Sequence, residues 1–306
     1  AFTSAGETFT LATAITSTNT AGITLGTAVG TGVSFTGGAG NDDIEIGETT
    51  KAIDMGAGNN FVEISSGVTK IGTGGTVNGG SGTADTLIMA AANAVTATAD
   101  ATAKAAFAAK LSGFEQLTLL AATATGDVKL NNLNNINTVN VTSIDAAGGV
   151  HTLTLSGLAT GATINTADSS AGIILGSLAT NGTSDVANFN VSGAAAKTIN
   201  GVTLTGVETI NIGTDDTAAA PAGGFNHVIT TLTDANATTL KVTGDAGLTI
   251  TGTATTMTAL TLVDASGITK GGFTWTADAL AASSVVKGSA TGTNTIDLST
   301  ASTAST

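Results

Sequence analysis

The feature that most narrows what this chain can fold into is a period. Starting at Ile44, apolar residues recur at every ninth position, through Ile53, Val62 and Ile71, with Phe35 one step upstream. A second series follows two residues later at Ile46, Met55 and Ile64. Residues two apart on a strand share a face. Ile44/Ile46, Ile53/Met55 and Val62/Ile64 therefore read as three short strands, each directing two side chains inward. Strands this short bury an apolar face only by stacking on neighbours, so a fixed short period implies a coil of stacked windings.

The turns repeat at twice that interval. "GGAGNDDIE" begins at Gly37 and "MGAGNNFVE" at Met55, eighteen residues on. Two nine-residue half-turns per winding stack these turns about 4.8 Å apart, with Asp42 near Asn60 and Gly40 near Gly58. The intervening "IGETTKAID" keeps the apolar position but loses the glycines, so only one edge of the coil is rich in Gly, Asp and Asn. "GGSGTADTLI", from Gly79, reads as a degenerate third copy. A glycine-rich insertion around residues 72–75 breaks its register, and one extra residue precedes Asp85.

A second repeat type follows. "GFEQLTLLA" (113–121) matches "GVETINIGT" (206–214), and "INTVNVTSIDAAGGV" (136–150) resembles "MTALTLVDASGIT" (257–269). "TTLKVTGDAGLTITG" (238–252) reads as two strands around a turn. One segment has no strand alternation: "ADATAKAAFAAKLSG" (99–113) predicts a helix near 99–111. Asp100 would cap its start, Ser112-Gly113 would end it, and Phe107 and Leu111 would cover an open edge of the coil.

Composition agrees with this reading. Of 306 residues, 42 % are hydrophobic and 10 % charged. Disordered chains show the opposite balance. Thr, Val and Ile favour strands, while Gly and Asn supply tight turns. The fold class is all-β: a parallel β-solenoid, part β-roll and part β-helix-like rungs, with one short helix. The net charge is −13, all nine basic residues are lysines, and there is no cysteine. Without arginine or a basic patch, nucleic acid is excluded as a partner. An acidic chain with few lysines invites divalent cations. No apolar run is long enough to span a membrane.

The turn GGxGxD, followed by one residue and an apolar one, is the calcium nonapeptide. Glycines let peptide oxygens turn inward, the aspartate adds a charged oxygen, and calcium takes six to eight oxygens at flexible geometry. Gly37, Gly38, Gly40, Asp42 and Ile44 match every fixed position, and Asp43 adds a neighbouring carboxylate. Gly56, Gly58 and Val62 match in the second turn, with Asn60 in place of the aspartate, which predicts a weaker site. Gly80, Gly82 and Asp85 are the candidates in the third. Asp215-Asp216 reads equally as a second type of calcium loop or as a solvated turn. Asp145, Asp245 and Asp264 each read as turn-capping residues after a strand. Glu115 and Glu208 hold the same place in their repeat and read as caps of backbone amides or as completing a cation site, the capping reading first. Catalytic readings are weak. His151 and His227 stand alone, no HExxH, GxSxG or P-loop is present, and Phe273 and Trp275 alternate on one strand face as core residues do.

In order along the chain, "FTGGAGNDDIEIGETTKAIDMGAGNNFVEISS…GGTVNGGSGTADTL", "GFEQLTL", "GVETINI" and "VTGDAGLTITG" resemble the later, lattice-forming part of RTX-type bacterial surface-layer proteins of the Caulobacter kind. The likeness runs from about residue 33 to about 286. It spans a boundary near residue 92, where the helix separates the nonapeptide part, an RTX-type calcium-binding region at 1–91, from the second repeat type, a solenoid region with the short helix at 92–306. It implies calcium (Ca2+) within and between subunits, self-association into a two-dimensional lattice on the outer cell surface, and type I secretion. Attachment to lipopolysaccharide would fall to a separate domain, so the chain reads as an interior piece of a longer protein. An RTX-type extracellular adhesin is the alternative, and a polysaccharide-modifying enzyme a more distant one.

Overall fold

The computed structural model describes residues 2–4, 13–99, 107–120, 125–134, 136–144, 151–218, 224–251, 257–276, 280–281 and 283–297. The chain divides into two compact units, residues 1–120 with 126–140, and residues 121–125 with 141–306. Each is a parallel β-solenoid.

In the first unit, consecutive strands alternate between two sheets. One sheet holds Phe2–Ser4, Ile23–Leu25, Asp43–Ile46, Phe61–Ile64, Thr86–Ala90 and Gln116–Leu120, in that order. The other holds Ala14–Thr16, Ser34–Thr36, Ala52–Asp54, Thr76–Asn78 and Leu111–Ser112. Every pairing is parallel, and Ile44 sits beside Val62 and Ile46 beside Ile64, as the eighteen-residue interval requires. The inward set is the expected one. Phe35, Ile44, Ile46, Ile53, Met55, Val62 and Ile64 are each at most 2 % exposed.

The second unit repeats the plan with longer strands. One sheet runs Ala162–Thr166, Val186–Gly193, Thr209–Asp216, Thr239–Gly244, Leu262–Ile268 and Val285–Lys287. The other runs Thr152–Leu158, Ser170–Leu178, Thr198–Thr205, Asn226–Thr233, Gly247–Ile250, Phe273–Thr276 and Thr295–Asp297. Thr239–Gly244 and Gly247–Ile250 belong to different sheets, so the "TGDAG" between them is a corner of the coil, not a hairpin. Phe273 and Trp275 are both buried, their rings 6.4 Å apart and inclined by 30°.

A helix stands ahead of the expected span. It occupies Ala91–Thr98, directly after the strand Thr86–Ala90. Of the expected span, residues 100–106 lie outside the described residues, Phe107 is helical, Ala108–Lys110 form a short 3-10 turn, and Leu111–Ser112 is a strand. Burial sets the position rather than a cap. Ala91, Ala94 and Ala97 are buried at helical spacing, whereas Ala90 offers no side-chain cap. The helix's C-terminal end is instead satisfied from the segment after it. The Asn132 side chain donates to Thr98 O (2.8 Å) and Lys129 Nζ to Ala99 O (2.8 Å). Phe107 and Leu111 are buried as well.

Candidate metal centre

The glycine-rich edge of the first unit owes its chemistry to strand parity. Asp42, Ile44 and Ile46 are two apart, so all three take the inward direction. The isoleucines fill the core, and Asp42, one residue before the strand, is buried at the corner. The same spacing gives Asn60 with Val62 and Ile64, and Asp85 with Leu87 and Met89. Asn60 and Asp85 are fully buried too. Asp43 has the opposite parity. It is exposed on the outer face, in register with Phe61, and does not join the column.

These corner residues form a ladder in which each side chain accepts the backbone N–H of the winding before it. Ile23 N–H donates to Asp42 Oδ1 (2.8 Å), Asp42 N–H to Asn60 Oδ1 (2.8 Å), Asn60 N–H to Asp85 Oδ1 (2.8 Å) and Asp85 N–H to Glu115 Oε2 (2.9 Å). The sequence separations along it are 19, 18, 25 and 30 residues. The corner thus holds its register while winding length changes. The extra residue before Asp85 is absorbed in the turn, and Phe61 still pairs with Thr86. The second oxygens bond within their own turns, Gly38 N–H to Asp42 Oδ2 (3.2 Å) and Gly82 N–H to Asp85 Oδ2 (3.0 Å). Burial pushes both carboxyls above the usual carboxylate range, against the lowering effect of those N–H donors, and Glu115 raises Asp85 further. Ionised, they are poorly compensated.

The glycines let one turn lie directly on the next. Gly56 (φ +76°) and Gly58 (φ +93°) hold left-handed backbone that side chains disfavour. A Cβ at Gly58 would lie 2.7 Å from Gly40 O and 2.9 Å from Asn41 Oδ1. One at Gly37 would collide with Met55 O and Asp42 Oδ2, and one at Gly82 would meet Gly58 O and both Asp85 oxygens. Gly38, Gly56 and Gly80 stack in the same way, as do Gly40 and Gly58. Peptide oxygens of the neighbouring turn, and the Asp42 and Asp85 carboxylates, therefore lie close against the bare glycine Cα atoms. Among the described residues, no three His, Cys, Asp or Glu side chains stand together. A cation here would draw on one acid or amide side chain per turn plus peptide oxygens, a hard-oxygen set suited to calcium.

No family model and no curated protein matches this sequence.

Asp215 and Asp216 end the strand Thr209–Asp216 in the second unit, in no glycine turn. Asp216 Oδ1 accepts Ala218 N–H (2.9 Å), and Asp245 Oδ1 accepts Asp216 N–H (2.7 Å). Asp145 lies outside the described residues. Asp264 is not in a turn: it sits within Leu262–Ile268 and pairs with Lys287 at 2.8 Å. Lys287 first, then Ser266, lower its pKa to about 2.

Two parts of the edge were not anticipated. Asn19, Ala21 and Gly22 form an earlier winding beneath Gly38 and Gly40, marked in sequence by a single glycine before Ile23. The second unit also has a matching acid corner. Gly182 N–H donates to Asp185 Oδ2, Asp185 N–H to Glu208 Oε2 (2.8 Å) and Val207 N–H to Asp234 Oδ2 (3.1 Å). "GTAD" (82–85) and "GTSD" (182–185) carry this device, and Glu115 and Glu208 serve it as amide acceptors.

Proposed function

We propose that the chain is a structural protein of a bacterial surface layer, a calcium-dependent two-dimensional lattice on the outer cell surface, exported by type I secretion and held to lipopolysaccharide by a separate domain. The observation that carries the reading is the stack of turns 37–42, 56–60 and 80–85, where buried Asp42, Asn60 and Asp85 are tied from turn to turn among closely stacked peptide oxygens. Asp42, Asn60 and Asp85 would hold calcium there. When bound, it would neutralise buried carboxylates and link successive windings. The chain's own residues keep the corner in register through the amide ladder. At an external concentration about ten times a site's dissociation constant, each site adds about 1.4 kcal/mol by mass action. No helix among the described residues is long and apolar enough to cross a membrane. In this reading the protein is not an enzyme.

The test is electron microscopy of the full-length protein with millimolar calcium and with chelator. Ordered sheets in calcium that dissolve in chelator are expected. Monomers under both conditions that bind glycan tightly would favour the adhesin instead, and turnover of a polysaccharide would refute both.

A further inference from the structure

The second unit carries a cleft of about 650 Å3 that belongs to neither the calcium edge nor the core. Its lining is rich in bare backbone, at Gly224, Gly271, Gly272 and Gly292. Gly247 pairs with Asn226, and Leu248 with Phe273 in the next strand, which sets Gly272 beside Gly247. A Cβ at Gly272 would collide with Thr293 O, and one at Gly247 with Asn226 Oδ1. One rail is the column of Thr274 and Thr295, paired in register about 4.8 Å apart. Thr269, Lys270 and Thr291 also line the cleft. The walls are fixed. Gly272 N–H donates to Asn226 Oδ1 (3.2 Å), Phe273 N–H to Asn294 Oδ1 (3.1 Å) and the Asn294 side chain to Ser289 O (2.9 Å).

The lining selects among ligand classes. Among the described residues it contains no carboxylate, so a cation has no charged ligand there. Among them it contains no aromatic or aliphatic side chain either, so an apolar ligand gains little. One lysine in a chain of net charge −13 is too little for a polyphosphate. Threonine hydroxyls, an asparagine amide and glycine peptides both donate and accept, which suits a polyol. Rung spacing sets the rail hydroxyls at an interval close to one pyranose residue of an extended chain. Lys270 Nζ lies 3.9 Å from Asp245 Oδ2, a separation that leaves the ammonium able to meet a second anion. We propose that this cleft binds an oligosaccharide carrying acidic sugars, with Lys270 meeting a sugar carboxylate and Thr274 and Thr295 the ring hydroxyls. The proposal does not rest on the lattice reading.

The 306-residue chain, 15N-labelled and in calcium, would be titrated with a tetrasaccharide of alternating glucuronate and N-acetylglucosamine, and with neutral tetra-N-acetylchitotetraose. Amide shifts should concentrate at Asn226, 270–274 and 291–295. The acidic sugar should bind about threefold more tightly, the scale of an exposed ion pair. Lys270→Ala should abolish that preference and Lys270→Arg retain it. Thr295→Glu, at an exposed position, should weaken both sugars, the acidic one more, while leaving the melting temperature unchanged. No shifts with either sugar, shifts centred elsewhere, or an undiminished acidic preference in Lys270→Ala would overturn the assignment.

Discussion

Asn60 is the residue at which two roles of the glycine edge come apart. Its Oδ1 accepts Asp42 N–H, and its Nδ2 donates to Gly58 O (3.2 Å) and Gly79 O (2.9 Å). It therefore staples three turns with no ion present. Asn60→Asp removes both donors and adds a buried carboxylate to a column that already holds two. In chelator it should lose about 1–3 kcal/mol, read as a lower calorimetric melting temperature. In millimolar calcium the deficit should shrink or reverse, because the new carboxylate is a better calcium oxygen than an amide. An equal deficit in both conditions refutes the calcium site. Gly58 and Gly67 separate the two costs of placing a side chain on left-handed backbone. Gly67 (φ +86°) has nothing within 4 Å of a Cβ, whereas Gly58 would press on Gly40. Gly67→Ala should cost about 1 kcal/mol. Gly58→Ala should cost a further 1–3 or so from overpacking, measured by urea unfolding.

The helix Ala91–Thr98 shows the same accounting one scale up. Thr98 Oγ1 donates to Ala94 O (2.8 Å) and accepts Lys129 N–H (3.1 Å), so one buried hydroxyl ties the last helical turn to the strand Gly126–Lys129. Thr98→Val keeps the shape and loses both bonds. It should cost about 1–3 kcal/mol and raise hydrogen exchange at Lys129; a loss below about 0.5 kcal/mol would show that the helix is held by its alanine face alone. That helix also marks where reading the sequence stopped short. Period and parity made Ile44 to Ile64 legible as core and placed Asp42 beside Asn60, because strand geometry turns spacing directly into facing direction. The helix Ala91–Thr98 has no cap to announce it: its buried alanine face sets its position, and that face depends on neighbours distant in sequence. The corner Gly182–Asp185 escaped for a related reason. Its partner Glu208 lies 23 residues away, and with winding lengths from 18 to 30 residues along the first unit's ladder no fixed period remains to find it.

At the scale of the whole molecule, the two units differ in what protons do to them. In the first, burial raises Asp42 and Asp85 above the ordinary 3.8. A raised carboxyl makes the folded state bind protons more readily than the unfolded one, so stability increases as pH falls through the folded pKa and is complete below 3.8. In the second unit, burial raises Asp234 likewise but chiefly lowers His227 from 6.5. Lys197 N–H donates to His227 Nδ1 (3.1 Å), and Nε2 lies 3.1 Å from Asp215 O, so the neutral Nε2–H tautomer satisfies both. A proton on Nδ1 would face the Lys197 N–H. Asp215 and Asp216 favour that proton and Lys197 opposes it, but desolvation is the largest effect. The His227 contribution is therefore full above pH 6.5 and lost as pH falls through the lowered value. In chelator, acidification from pH 7 towards 3.8 should increase the protection of Asp43–Ile46 and Phe61–Ile64 in hydrogen exchange corrected for intrinsic rates, and decrease that of Thr198–Thr205 and Asn226–Thr233. His227→Gln, whose amide can accept from Lys197 and donate to Asp215 at any pH, should remove the second effect alone. Calcium should invert the first. Protons then compete with the ion for Asp42 and Asp85, so the calcium-loaded first unit should lose protection over the same range. A first unit whose response to acid has the same sign with and without calcium would show that Asp42 and Asp85 serve only the amide ladder.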